Sequence, residues 1–147
     1  MDYKAKKIDI LLEHITSLLT NKYGFILLNK LGVSYSQYKI LAQFNKSSII
    51  SQKIIAKNLG QTEAGISRQL KNMVNKGMVY RSYEPNNKKT VIVTLSKLGQ
   101  SIKNSSEVII HKENKNFLSS LNINEQENLI LSLNQILLAF DTVEHNQ

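Results

Sequence analysis

The stretch that decides the fold is SQKIIAKNLG (51–60), QTEAGISRQLKNMVNKG (61–77) and MVYRSYEPNNKKTVIVTL (78–95). Its first two segments read as short helices meeting at a tight turn. Ser51 can cap the first helix, because its hydroxyl can accept from an unpaired N–H of the opening turn. Gly60 falls where the chain reverses and can take the left-handed conformation that ends a helix. Thr62 is placed to cap the second helix and Gly77 to end it. Ile55, Ala56 and Leu59 form one apolar stripe; Ile66, Leu70, Met73 and Val74 form the other, both at the spacing that buries one face.

The wet face of the second helix carries Glu63, Ser67, Arg68, Lys71 and Asn72. These side chains suit phosphates and base edges better than a core. A helix-turn-helix lays such a second helix in the DNA major groove. Beyond it, Met78–Glu84 and Thr90–Leu95 are rich in β-branched and aromatic residues, and Pro85–Lys89 between them is a turn-forming cluster. A β-ribbon with two lysines at its tip is expected. The fold class is therefore mostly α with a small β-wing: a winged helix-turn-helix.

Working outward, Tyr3–Leu31 reads as one helix, with Ile8, Leu11, Leu12, Ile15, Leu18, Leu19 and Ile26 at helical spacing. At 1.5 Å per residue it would reach roughly 40 Å, too long to bury its stripe within one small domain. Val33-Ser-Tyr-Ser-Gln-Tyr38 is a helix start, with Ser34 and Gln37 spaced as a capping box and Val33 and Tyr38 as a hydrophobic staple. That helix is expected to reach Phe44, with a loop over Asn45–Ser48 and a brief strand at Ile49–Ile50 pairing with the wing. After the wing, Ser96 should cap a long helix to about Ser120, with a stripe of Leu98, Ile102, Ile109, Phe117 and Leu121. Asn122–Asn124 reads as a turn, and Asn124 with Glu127 as the cap of a last helix. Leu129, Ile130, Leu133, Ile136, Leu137 and Phe140 give that helix the clearest stripe in the chain, and Val143–Gln147 is expected to fray.

A chain of 147 residues accommodates one domain with helical extensions. Cysteine is absent, which excludes disulfides and thiolate metal sites. No run approaches a membrane span and the charged N-terminus is no signal peptide, so cytoplasm is the default compartment. Net charge is +8, and it is concentrated. Between Ser51 and Lys89, the eight bases Lys53, Lys57, Arg68, Lys71, Lys76, Arg81, Lys88 and Lys89 face only Glu63 and Glu84, a net +6. That is the footprint of a polyanion binder. His14, His111 and His145 are scattered and no phosphate loop or acid–base motif is present, so an enzyme is not expected, nor a metal or cofactor.

These residues resemble the MarR family of bacterial regulators. The resemblance covers Val33 to Gly99 and rests on Val33-Ser-x-x-Gln-Tyr-x-Ile-Leu41, Ile55-Ala-x-x-Leu-Gly60, Ile66-Ser-Arg68, Lys76-Gly-Met-Val-x-Arg81 and Val91-x-Val-x-Leu-Ser-x-x-Gly99. It implies a single chain (1–147) with a DNA-binding lobe at 33–99 and helical dimerisation regions at 1–31 and 100–147. Position by position, it puts Thr62, Gly65, Ser67 and Arg68 at the major groove, beside Lys71 on the same wet face, and Lys88 and Lys89 in the wing. Arg81 would brace the wing or touch phosphate. The family's acidic-x-Arg pair at the wing tip is here Asn87 and Lys89: the positive charge survives, but not the stiffening salt bridge.

Double-stranded DNA and a second copy of the chain are the expected partners, the latter held through Ile8, Leu11, Leu12, Ile15, Leu129, Leu133, Ile136, Leu137 and Phe140. The resemblance also implies a small aromatic or lipophilic acid as ligand, near Tyr23, Tyr35, Tyr38 and Phe44. The function expected is a homodimeric repressor of a palindromic operator, released by such a ligand. The alternative is a winged-helix dimer serving as a protein-interaction adaptor without operator recognition.

Overall fold

The computed structural model describes residues 2–45 and 47–144, with the side chains of Val143 and Glu144 left aside. Among these residues the order is α1 (Tyr3–Leu31), α2 (Tyr35–Leu41), β1 (Ile49–Ser51), α3 (Gln52–Asn58), α4 (Glu63–Asn75), β2 (Val79–Glu84), β3 (Asn87–Leu95), α5 (Lys97–Leu118) and α6 (Ile123–Glu144). Backbone contacts divide the chain into two compact units, 1–109 and 110–147.

Most boundaries follow from side-chain capping. Ser34 Oγ accepts from Gln37 N at 3.1 Å, and Gln37 Oε1 accepts from Ser34 N at 3.2 Å, a reciprocal box. Ser51 Oγ accepts from Ile54 N and Thr62 Oγ1 from Gly65 N. Gly60 and Gly77 take positive φ values of 61° and 72°, where a Cβ would be strained. Chain reversal at both ends of α4 is therefore written into single residues.

In the first unit α2, α3, α4 and the sheet enclose one core, whose fully buried members include Val33, Ile40, Leu41, Ile55, Ile66, Leu70, Met73, Val79 and Val93. Each such side chain removed from water stabilises the fold by about 1.5–3 kcal/mol before entropy is counted. The sheet is antiparallel in the order β1-β3-β2, so β1 docks the start of α3 against the wing. Val74, expected in the α4 stripe, is instead exposed, because it lies at the edge of the face that Leu70 and Met73 bury.

Four expectations are corrected. α2 stops at Leu41, and Phe44 reaches the core from a following turn in which Gln43 N and Phe44 N bond to Ile40 O and Leu41 O. The wing turn is only Pro85-Asn86, so Lys88 and Lys89 belong to β3 rather than to the tip. Glu84 pairs with Asn87 while Tyr83 pairs with Val91, which leaves Lys88, Lys89 and Thr90 bulged out between those pairs. Such a bulge bends a ribbon and re-aims its side chains.

The buried face of α5 is Gly99, Lys103 and Ser106, whereas Leu98 and Phe117 are exposed. The cause lies at Gly99, where a Cβ would stand 2.1 Å from Met78 O: small residues let α5 approach the wing root closely. Ser96 Oγ secures that junction, lying 2.6 Å from Gly77 O and 2.8 Å from Met78 O while accepting from Gly99 N. Finally, in the second unit α6 is capped two residues early. Asn122 Oδ1 accepts from Glu125 N and Glu125 Oε2 from Asn122 N, a box with the same spacing as Asn124 and Glu127. Of the end expected to fray, Val143 and Glu144 continue α6, and 145–147, His145 included, lie outside the described residues, as does Lys46 in the 45–48 loop.

Much apolar surface stays open. On α1, Ile8, Leu11 and Ile15 are about half exposed (53, 48 and 49%), while Leu12 is half-buried. On α6, Leu133, Leu137 and Phe140 are 49, 63 and 61% exposed, with Leu129 and Ile136 half-buried. The buried residues of α1 are Tyr23 and Leu27, at its C-terminal end. No helix among the described residues is long and apolar enough to cross a membrane.

Candidate nucleic-acid interface

The α4 N-terminus opens with Thr62 as cap, and Glu63, Ser67, Arg68 and Lys71 follow on its outer side. Burying Ile66, Leu70 and Met73 leaves no other placement for them. Arg68 and Lys71 are exposed and make no hydrogen bond or ion pair among the described residues. Asn72 is different. Although exposed, its Oδ1 accepts from Nε2 of the buried Gln37 at 2.8 Å, so its amide is committed to holding α2 against α4. Gly65 sits under the cap, where a Cβ would press to 3.2 Å from Thr62 Oγ1.

Arg81 ties the lobe together. From β2, its Nη2 donates to Gln52 Oε1 at 2.9 Å and to Ser67 Oγ at 3.1 Å, joining the wing to the starts of α3 and α4. Arg81 is thereby held at the junction of β2, α3 and α4. Gln52 was not singled out from the sequence; its one signal was its place just after the Ser51 cap. Lys88 and Lys89 stand exposed in the bulge, and Asn87 Oδ1 accepts from Lys89 N at 3.1 Å. Asn87 therefore stiffens the wing locally, in a position where the family pattern has a side-chain ion pair.

Between α4 and the wing lies an open groove of about 360 Å³, lined by Lys71, Val74, Asn75, Arg81, Ser82, Tyr83 and Val91. Of the four aromatics expected to line a ligand pocket, three meet: the Tyr35 ring is 5.7 Å from Tyr23 and 6.0 Å from Tyr38, stacked on the latter, with Lys39 Nζ 5.4 Å from its centroid. Phe44 belongs to the apolar core. Burial, then the charge of Tyr23, pushes the Tyr35 hydroxyl above its ordinary value. Burial also raises Tyr38, with Glu107, Tyr35 and Tyr23 adding to it.

A capped, cationic helix packed at a tight turn on a second helix, and braced by a β-ribbon, defines a winged helix-turn-helix protein. Residues 33–91 match the model of the MarR family. Over these residues, its winged lobe, the chain is similar to the MarR family of winged helix-turn-helix regulators. A similar curated protein is the HTH-type transcriptional regulator YdgJ of Bacillus subtilis (strain 168), 28% identical over 102 residues, which are 68% of this chain and 60% of that relative's length. Among solved structures, the regulator BldR of Sulfolobus solfataricus has a TM-score of 0.77 at 20% identity, covering 95% of this chain and 99% of that one. An S. aureus MepR–DNA complex also has a TM-score of 0.77 at 20% identity, covering 95% of this chain and 98% of that one. At that identity the likeness concerns the fold.

Proposed function

We propose that this chain regulates transcription as a homodimer that binds a palindromic operator and represses, with the 33–99 lobe reading DNA. The observation that carries the reading is the state of Arg68 and Lys71: two exposed cations, uncommitted to any partner in the described residues, on a helix braced by Arg81. Thr62, Gly65, Ser67, Arg68 and Lys71 would face the major groove, with Arg68 on guanine or phosphate, and Lys88 and Lys89 would take phosphates beside it. The MepR–DNA complex supports the reading, since a protein of this fold was crystallised on DNA.

α1 and, separately, α6 leave several leucines and isoleucines exposed, as apolar faces that mark interaction sites do. A second copy is the natural cover, with 1–31 and 100–147 as the dimerisation regions, and two-fold symmetry would set two recognition helices one DNA turn apart. Release by a small aromatic or lipophilic acid near Tyr23, Tyr35 and Tyr38 would require only that it bind one helix spacing better than another. The adaptor alternative draws on the altered wing pair at Asn87 and Lys89. A gel shift on the DNA flanking the coding region, at two salt concentrations, separates the readings: a regulator retards it specifically and less at high salt, an adaptor not at all.

A further inference from the structure

Arg81 does more than brace the wing. A guanidinium only donates hydrogen bonds, so at 3.1 Å from Arg81 Nη2 the Ser67 Oγ must be the acceptor. One lone pair of the hydroxyl is thereby fixed, and its own hydrogen is left to point elsewhere. In helices that hydrogen commonly bonds back to the carbonyl four residues earlier. Ser106 does so with Ile102 O at 2.8 Å and Thr142 with Leu138 O at 3.0 Å. Ser67 does not: the only hydrogen bond of its hydroxyl among the described residues is the one from Arg81.

We infer that Arg81 is a positioning residue that sets Ser67 as a hydrogen-bond donor toward DNA, so that Ser67 selects a base bearing a major-groove acceptor. The inference rests on the DNA-binding reading above. Guanine O6 and N7 and thymine O4 are such acceptors, whereas cytosine presents the N4 amino group as a donor. An amino group brought to Ser67 would have only the hydroxyl's second lone pair, on an oxygen already bonded to a cation, and would leave the hydroxyl hydrogen unpaired. Arg81 is itself held by Gln52, a side chain only 7% exposed, so the polarity of Ser67 is set from the protein interior.

The test is selection from a random duplex pool followed by affinity measurement of each single-base variant of the preferred site, below the melting temperature of every protein used. For the wild type, one position per half-site should disfavour cytosine by roughly three- to tenfold, the worth of one neutral hydrogen bond. Ser67→Ala and Arg81→Met should each flatten that position alone, and Ser67→Thr should retain it. Preferences unchanged at every position in Ser67→Ala, or kept at that position in Arg81→Met, would overturn the inference while leaving DNA binding intact. Failure of the wild type to bind any duplex would overturn the DNA-binding reading and this inference with it.

Discussion

Gln37 Nε2 donates to Asn72 Oδ1 across 2.8 Å, joining the buried base of α2 to the exposed side of α4. The same Gln37 closes the capping box with Ser34, so one side chain both starts α2 and positions α4. Asn72→Ala would strand a buried amide donor. A loss of about 1–3 kcal/mol in urea unfolding is expected, and less than additive loss when combined with Gln37→Ala. Full additivity would show that the two side chains are not coupled.

Two glycines in helices should respond to alanine with opposite signs. Both gain about 0.5–1 kcal/mol of helix propensity. At Gly24 the new Cβ would meet Tyr35 Cβ at an ordinary 3.8 Å, so Gly24→Ala should stabilise. At Gly99 it would stand 2.1 Å from the Met78 carbonyl oxygen, backbone that cannot swing aside. Overpacking of that kind costs about 1–3 kcal/mol or more and outweighs the propensity gain. Denaturation midpoints of the two variants on either side of wild type would bear this out.

The extent to which the fold was legible follows from the range of the interactions. Caps at Ser34, Ser51 and Thr62 and the reversals at Gly60 and Gly77 depend on residues three or four apart, and the chain displays them directly. Where two local solutions share a spacing, as with Asn122/Glu125 and Asn124/Glu127, only packing chooses. On α5 the expected stripe holds at Ile102, which packs against the core, and fails at Leu98 and Phe117, because an apolar stripe marks burial against side chains, whereas Gly99 and Ser106 mark approach to backbone or a back-bonded hydroxyl. At the candidate site, the exposed cations Arg68 and Lys71 could be named from periodicity. The links from Arg81 to Ser67 and Gln52, and from Gln37 to Asn72, span 14, 29 and 35 residues and have no local signature.

Alkaline pH should weaken the fold through the tyrosine stack. Tyr35 and Tyr38 have hydroxyls raised above the ordinary value of 10, first by burial. The native state thus holds its phenol protons more tightly than the unfolded chain does. The associated stability is complete below about pH 10 and is lost as pH rises through the folded values. The melting temperature of wild type should fall more steeply above that pH than in Tyr35→Phe/Tyr38→Phe. Parallel curves would remove the stack from the account.

Self-association should depend on the open apolar faces. Leu133→Asp with Leu137→Asp places two charges where the proposed partner surface is apolar. Sedimentation should shift the protein from dimer to monomer, with helical circular dichroism largely retained. A variant that remains dimeric would place the interface away from α6.

Docking of the outer side of α4 on DNA is decided by a salt series on the selected operator with wild type, Arg68→Ala and Lys88→Ala. Arg68→Ala should lose specific affinity by roughly ten- to a hundredfold, the worth of about 1–3 kcal/mol at a base edge. Lys88→Ala should bind more weakly on every sequence, with the log–log salt slope reduced by about one for each protomer. Wild-type affinity and slope in both variants would contradict that docking.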